Sequence, residues 1–340
     1  MNISIGERSR TEWVDIAKGI GIVCVCLGHL GIESIDRVVF TFHMPLFFIL
    51  SGMFLNGDVP FSKFIKKKSK RLLVPYYVTG GIICFLVFWA DVFRKMWERI
   101  LPDLCSMFIA VLCGSCFKVS DVIDGVGALW FLWALFWASV LVKLLIPYKW
   151  GAVYICILSV FSYISTRYFW LPLSIQPGIC ASIFVYLGVR LQRVNWNEAL
   201  NWKRAFGAFV VFLLEVIFNI HLDMGQNIYD YGIVSVLGAI CCCYFIFYIS
   251  NLLSYTNLKK YCIIMGQYSL PILCIHQIEM KVFPWSVVLH ILEKVELDSW
   301  FILFVTGFRI IGFYVCIKLW IKLSSIIKKS SKGLGMQGEK

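Results

Sequence analysis

Apolar residues run along this chain in blocks separated by short polar stretches. Ten of the blocks fit helices that cross a bilayer: 14–32, 38–56, 72–91, 127–146, 151–167, 177–191, 204–221, 229–250, 262–280 and 299–321. An eleventh, 104–117, holds only fourteen residues, fewer than a usual span. The pattern predicts an all-α polytopic membrane protein, a bundle of about ten transmembrane helices.

Composition agrees with that pattern. Of 340 residues, 60% are hydrophobic and only 15% charged, with a mean hydropathy of +0.79. A soluble chain would carry about 25% charged residues. The net charge of +12 fits the excess of Lys and Arg on the cytoplasmic side of membrane proteins, and it calls for no nucleic-acid partner. If 104–117 does not cross, 22 of the 32 Lys and Arg fall on the side that holds both ends, and eight on the other. Lys18 and Arg309 stay inside the membrane. We therefore expect both termini in the cytoplasm and a re-entrant or interfacial 104–117. No removable signal peptide is read before the first span. One transmembrane domain, 1–321, would be followed by a basic tail, 322–340, prone to fraying. The fourteen cysteines lie mostly in apolar runs, where they behave as small hydrophobes. Cys113 and Cys116 have no matching second pair, so no metal site is expected.

Chemistry concentrates in the first two spans, WVDIAKGIGIVCVCLGHLGIESIDRVVFTFHMPLFFILSGMF, which carry Asp15, Lys18, His29 and His43. Ionisable groups are costly in a bilayer, and their presence there points to function. On one continuous helix Asp15, Lys18 and His29 would share a face within roughly 60°. Lys18 and His29 would lie on the order of 16 Å apart along the axis, the lysine near the cytoplasmic side and the imidazole near the outer one. His29 can take and return a proton near neutral pH, as a general base for a hydroxyl must. The plainer alternative is a histidine bonded within the bundle. Asp15 and Lys18 form either an ion pair at spacing i, i+3 or a site in which Lys18 receives an anion. His43-Met44-Pro45 breaks the second span near its outer end, as a helix lining a cavity can. The basic loop KFIKKKSKRLLVP (63–75) either holds topology or, with Lys66, Lys67, Lys68 and Arg71, binds phosphates. Trp130, His276 and Glu279 arrive at the outer level with His29. Glu215 and Arg309, deep in apolar runs, either pair with each other or line a substrate path.

At these residues the chain resembles the acyltransferase 3 family of bacterial membrane O-acyltransferases, and its branch often called fucose 4-O-acetylase-like. The resemblance rests on WVDIAKGIGIVCVCLGH, FHMPLFFILSGMF, KKKSKRLLVPYY, ALWFLWALF (128–136) and SLPILCIHQ (269–277), in order, over most of the chain. It implies about ten spans in the bacterial inner (cytoplasmic) membrane and transfer of acyl groups, usually acetyl from acetyl-CoA, to sugars of surface polysaccharides. The family's Arg-x10-His motif maps onto Lys18 and His29. Lysine keeps the charge there but loses the bidentate fork of arginine. The family's basic segment before a proline corresponds to Lys66, Lys67, Lys68, Arg71 and Pro75. Some relatives carry a serine-glutamate motif where this chain reads LWFL, so no catalytic glutamate is assigned there.

The two lines of reading give one expectation. Acetyl-CoA would dock its nucleotide on Lys18, Lys66, Lys67, Lys68 and Arg71. Its pantetheine arm would rise along the first helix to His29, helped by Asp15 and His43. The glycan or lipid-linked sugar acceptor would meet Trp130, His276, Glu215 and Arg309. Membrane lipids are the other expected partner. The rival from another class is a transporter or flippase for an anionic lipid-linked sugar, which intramembrane charges and a basic inner face would also suit.

Overall fold

The computed structural model of the protein describes residues 5–118, 120, 123–283 and 305–322. The chain divides into two units, Met1–His290 and Ile291–Lys340.

The first unit is built of helices. α1 (Ile5–Leu27) stops short of the predicted span end, because Gly28 and His29 form a turn and Gly31 takes a left-handed φ of +68°. α2 (Glu33–Val39) and α3 (His43–Met53) are two pieces of one apolar stretch, interrupted at Phe40–Phe42. The sequence placed this break at His43-Met44-Pro45. It falls a turn earlier, because Pro45 sits in the first turn of α3, where an N–H has no intrahelical acceptor to lose.

α4 (Phe61–Phe93) is the longest element at 33 residues, about 50 Å at the α-helical rise. That exceeds the roughly 30 Å hydrocarbon thickness. The basic cluster expected as a loop is therefore the N-terminal third of a helix that continues through Pro75. Lys, Arg and Leu are good helix formers and carry it. α5 (Trp97–Cys113) packs on α4 and contains most of the short apolar run, ending at a left-handed Gly114.

A 3₁₀ turn at Gly127–Leu129 leads into α6 (Trp130–Leu145). α7 (Gly151–Ser165), α8 (Ile175–Leu191), the short α9 (Trp196–Ala199) and α10 (Trp202–Ile217) follow. Next comes a small antiparallel hairpin, β1 (Leu222–Asp223) and β2 (Ile228–Tyr229), with Leu222 opposite Tyr229. α11 (Ile233–Leu253), α12 (Lys259–Gln267) and α13 (Ser269–Val282) are the last described helices of the unit. The predicted ninth span is thus two helices meeting at Tyr268. In the second unit, residues 305–322 form one helix, α14, which carries Arg309. Apart from residue 322, the expected tail lies outside the described residues.

Among the described residues, four stretches are long and apolar enough to cross a membrane: Glu33–Met53 taken across its break, Phe61–Phe93, Gly127–Leu145 and Ile233–Leu253. Large apolar side chains cover the outside: Phe85 on α4, Phe161 on α7 and Phe206 on α10 are each more than 60% exposed. A water-facing surface would not carry them at that density, and the chain is an all-α membrane protein. Inside, Ile16, Leu46, Phe48, Leu132 and Phe184 are wholly buried. Glycines allow two close helix approaches. A Cβ on Gly266 of α12 would meet the Asp15 carbonyl of α1, and one on Gly188 of α8 would meet the Ile49 carbonyl of α3. Serine hydroxyls join α7 to α8: Ser159 donates to the Ile179 carbonyl (3.1 Å) and Ser162 to that of Gln176 (3.0 Å).

Candidate functional site

A cavity of about 670 Å³ runs between α1, α3, α4, α6, α12, α13 and the hairpin. Its two ends differ in chemistry, and the apolar side chains of Ile22, Val25, Phe47, Leu132 and Leu273 line the stretch between them.

One end is basic. Lys18, Lys67, Lys68 and Arg71 all reach its wall. Lys67 and Lys68 sit four and three residues before Arg71, and these spacings bring the three to one face of α4. Lys66 is exposed and does not line the cavity, being turned away by one helical step. Lys68 Nζ donates to Ser51 Oγ (3.2 Å) on α3 and Ser139 Oγ (3.0 Å) on α6. This ammonium is therefore held by two hydroxyls that satisfy its geometry without neutralising its charge. Lys18 Nζ lies 5.0 Å from the centre of the Phe54 ring, and its ion pair with Asp15 spans 3.1 Å. Asp15 Oδ2 also accepts from Gln267 Nε2 of α12 (3.1 Å). Asp15 thus fixes Lys18 at the basic end. It stands about 18 Å of helix rise below the end of α1, too far from His29 to serve it directly.

Histidines gather at the other end. His29 lies in the turn after α1 rather than on its face, yet its Nδ1 is 2.6 Å from the Val25 carbonyl one turn below. His43, in the first turn of α3, is 2.7 Å from the Val39 carbonyl by the same atom. A carbonyl only accepts, so each Nδ1 carries the donated proton and each neutral ring has Nε2 as its basic nitrogen. Both rings line the cavity. His276 of α13, wholly buried, does not line it and instead meets His29 edge to face, with ring centres 5.1 Å apart. Glu279 Oε2 lies 3.6 Å from His276 Nδ1. Phe40, in the break between α2 and α3, stacks on His221 (4.7 Å) and meets His43 edge to face (5.0 Å).

Trp130 opens α6 at this same end. The turn before it is anchored by Gln277, whose Oε1 accepts from the Ala128 N–H at 2.9 Å. Glu215 is buried apart from the cavity, against Gly238 and 4.0 Å from the Cys242 thiol of α11. Asp223 and Met224 of the hairpin line the cavity beside Trp130, a contribution not foreseen from the sequence. The signal that marks the hairpin is the Asp-Met-Gly-Gln-Asn run between apolar residues, a turn composition. Gln267, Ser51 and Gln277 were also missed. Among the described residues no group of three His, Cys, Asp or Glu is arranged to hold a metal ion.

Comparison with known proteins bears on this geometry. Nodulation protein NolL of Mesorhizobium japonicum is 25% identical over 244 residues, 67% of this chain and 60% of that protein. Nodulation protein NolL of Sinorhizobium fredii is 26% identical over 164 residues, 42% of this chain and 38% of that protein. The chain therefore spans less than two thirds of the length of these curated relatives. No solved structure matches it. A family model described as an acyltransferase domain matches residues 11–321, which takes in the cavity and both of its ends, and the chain belongs to the acyltransferase 3 family.

Proposed function

We propose that the protein is a membrane-embedded O-acetyltransferase that moves an acetyl group from acetyl-CoA to a sugar hydroxyl of a bacterial surface polysaccharide or its lipid-linked precursor. The single observation that carries this reading is the shared cavity, which has a cluster of four cations against one carboxylate at one end and two oriented imidazoles at the other.

In this reading the bundle has ten spans in the bacterial inner membrane, with both termini and the basic end on the cytoplasmic side. Residues 1–321 act as one transmembrane domain, with 322–340 as a basic tail. The phosphates of acetyl-CoA contact Lys18, Lys67, Lys68 and Arg71 by charge-assisted hydrogen bonds. The pantetheine arm follows the apolar middle of the cavity. Its length is of the same order as the roughly 15 Å between the two ends. The thioester then lies beside His29 and His43.

The sugar hydroxyl gives its proton to His29 Nε2 as its oxygen attacks the thioester carbonyl. Collapse of the tetrahedral intermediate breaks the C–S bond, and the imidazolium returns the proton to the departing thiolate. His43 binds the same substrate oxygen or helps orient it. A two-step variant, in which His29 Nε2 takes the acetyl group first, uses the same atoms.

Membranes containing the protein are given acetyl-labelled acetyl-CoA, and labelled glycan is measured. The expected result is label transfer that falls at least 100-fold in His29→Ala, the usual contribution of a general base being about 10²–10⁴. Normal transfer by His29→Ala would overturn the assignment. Ligand flux across vesicles without acetyl-CoA would favour a transporter instead.

A further inference from the structure

We propose that the hairpin β1–β2 forms, together with Trp130, the subsite that receives the acceptor sugar, and that it selects an uncharged pyranose. The proposal rests on the reading above only for what happens to the sugar once bound.

The hairpin is part of the cavity wall. Leu222, Asp223 and Met224 line the cavity, as do Trp130 and Cys116. The tip is seated tightly, since a Cβ on Gly225 would meet Cys116 Sγ at 2.8 Å and the Trp130 indole at 3.1 Å. The same end holds His29 and His43. Phe40 links His43 to His221, whose own N–H donates to Asp230 Oδ2 within the hairpin's return (3.0 Å). His276, edge-on to His29, neighbours Gln277, which anchors the turn before Trp130. Hairpin, indole and imidazoles are therefore bound into one chamber.

Asp223 is oriented within that chamber. Its Oδ1 accepts from the N–H groups of Gly225 (2.9 Å) and Gln226 (3.1 Å), and its Oδ2 accepts from Gln226 Nε2 (2.8 Å). A carboxylate has about four acceptor positions. Three are used by the turn, and one on Oδ2 is available to a hydroxyl donor. A fixed acceptor and an indole lining the same cavity suit a pyranose, whose C–H face would pack on the aromatic ring while an equatorial hydroxyl donates to the carboxylate.

Charge decides which pyranose. A sugar carboxylate or phosphate at this place would face Asp223 at close range, and like charges there are penalised. Lys281, the cation on α13 nearest in sequence to His276, is taken up by Asp124 at 2.5 Å. Its side chain does not line the cavity. The site also reads against the donor end, where the cations are.

The test measures binding without catalysis. Purified protein in detergent is titrated with methyl glucoside, its 6-deoxy analogue and methyl glucuronide, with saturation-transfer NMR as readout. Acetyl-CoA binding to each variant is measured in parallel as a control for folding. The wild type should bind both neutral glycosides and hold the glucuronide at least ten-fold more weakly. Asp223→Asn retains the acceptor for the two backbone N–H groups, so the hairpin persists. It should lose at least ten-fold in affinity for the neutral glycosides, as should Trp130→Phe. Acetyl-CoA binding should change less than two-fold in both. Equal glycoside binding by wild type and Asp223→Asn would overturn the proposal, as would a glucuronide bound as well as the glucoside or no glycoside binding at all. Labelled acetyl transfer to endogenous glycan reports separately on the acetyltransferase reading, so failure of one is distinguishable from failure of the other.

Discussion

Single residues set the two ends of the cavity. At the basic end, Lys68 is half-buried between two serine hydroxyls and the Phe64 ring, an arrangement that costs solvation energy and is offset when an anion arrives. Lys68→Met should therefore raise the KM for acetyl-CoA by about 10–100-fold, the equivalent of one charge-assisted hydrogen bond. It should leave kcat nearly unchanged, as steady-state kinetics on membranes would show. At the histidine end the Nδ1 contacts to Val25 and Val39 fix both rings in one tautomer. The ionisable residues Lys18, His29 and His43 were legible in the sequence because charge within an apolar run has few explanations. Asp223 was not, because nothing near it in the chain says that a four-residue turn folds back over Trp130. Asp15 realises the ion-pair alternative that its spacing to Lys18 left open. Sharing a helix face with His29 does not bring two side chains together across several turns, and the pair at spacing i, i+3 wins.

The helices place these groups by close packing rather than by hydrogen bonds alone. α1 meets α12 where Gly266 touches the Asp15 carbonyl, and α3 meets α8 where Gly188 touches the Ile49 carbonyl. Backbone cannot give way as a side-chain tip can, so Gly188→Val should push α8 off α3. A fall of several degrees in Tm is expected in a thermal-shift assay. Gly81 on α4 has open space around its Cβ position, and Gly81→Ala should leave Tm unchanged or slightly raised. The two substitutions together separate helix propensity from packing. Hydropathy located most helices, because each buries or exposes a long apolar surface. It misplaced boundaries wherever local chemistry overrode it. Charge masks helix propensity in a hydropathy pattern, so the basic start of α4 reads as a loop. The break before α3 was drawn at Pro45, although proline is tolerated in a first turn.

Taken whole, the molecule joins two chemically different surfaces through an apolar middle. Blocking that middle should uncouple them. Leu273 lines it one turn before His276, and Leu273→Trp should retain CoA binding at the basic end while label transfer drops at least ten-fold. Unchanged transfer would mean that the acyl group travels by another route. The sequence carried this organisation as far as two depths and a face between them. Whether a gap existed between those depths depends on how seven elements pack, and no local pattern encodes that. The most direct test is a cryo-EM structure of the protein with a non-transferable acetyl-CoA analogue in which a methylene replaces the thioester sulfur. The account predicts phosphate density against Lys18, Lys68 and Arg71, and the acetyl carbonyl beside His29 and His43. Phosphates bound away from these cations, or an acetyl group lodged outside the cavity, would contradict it.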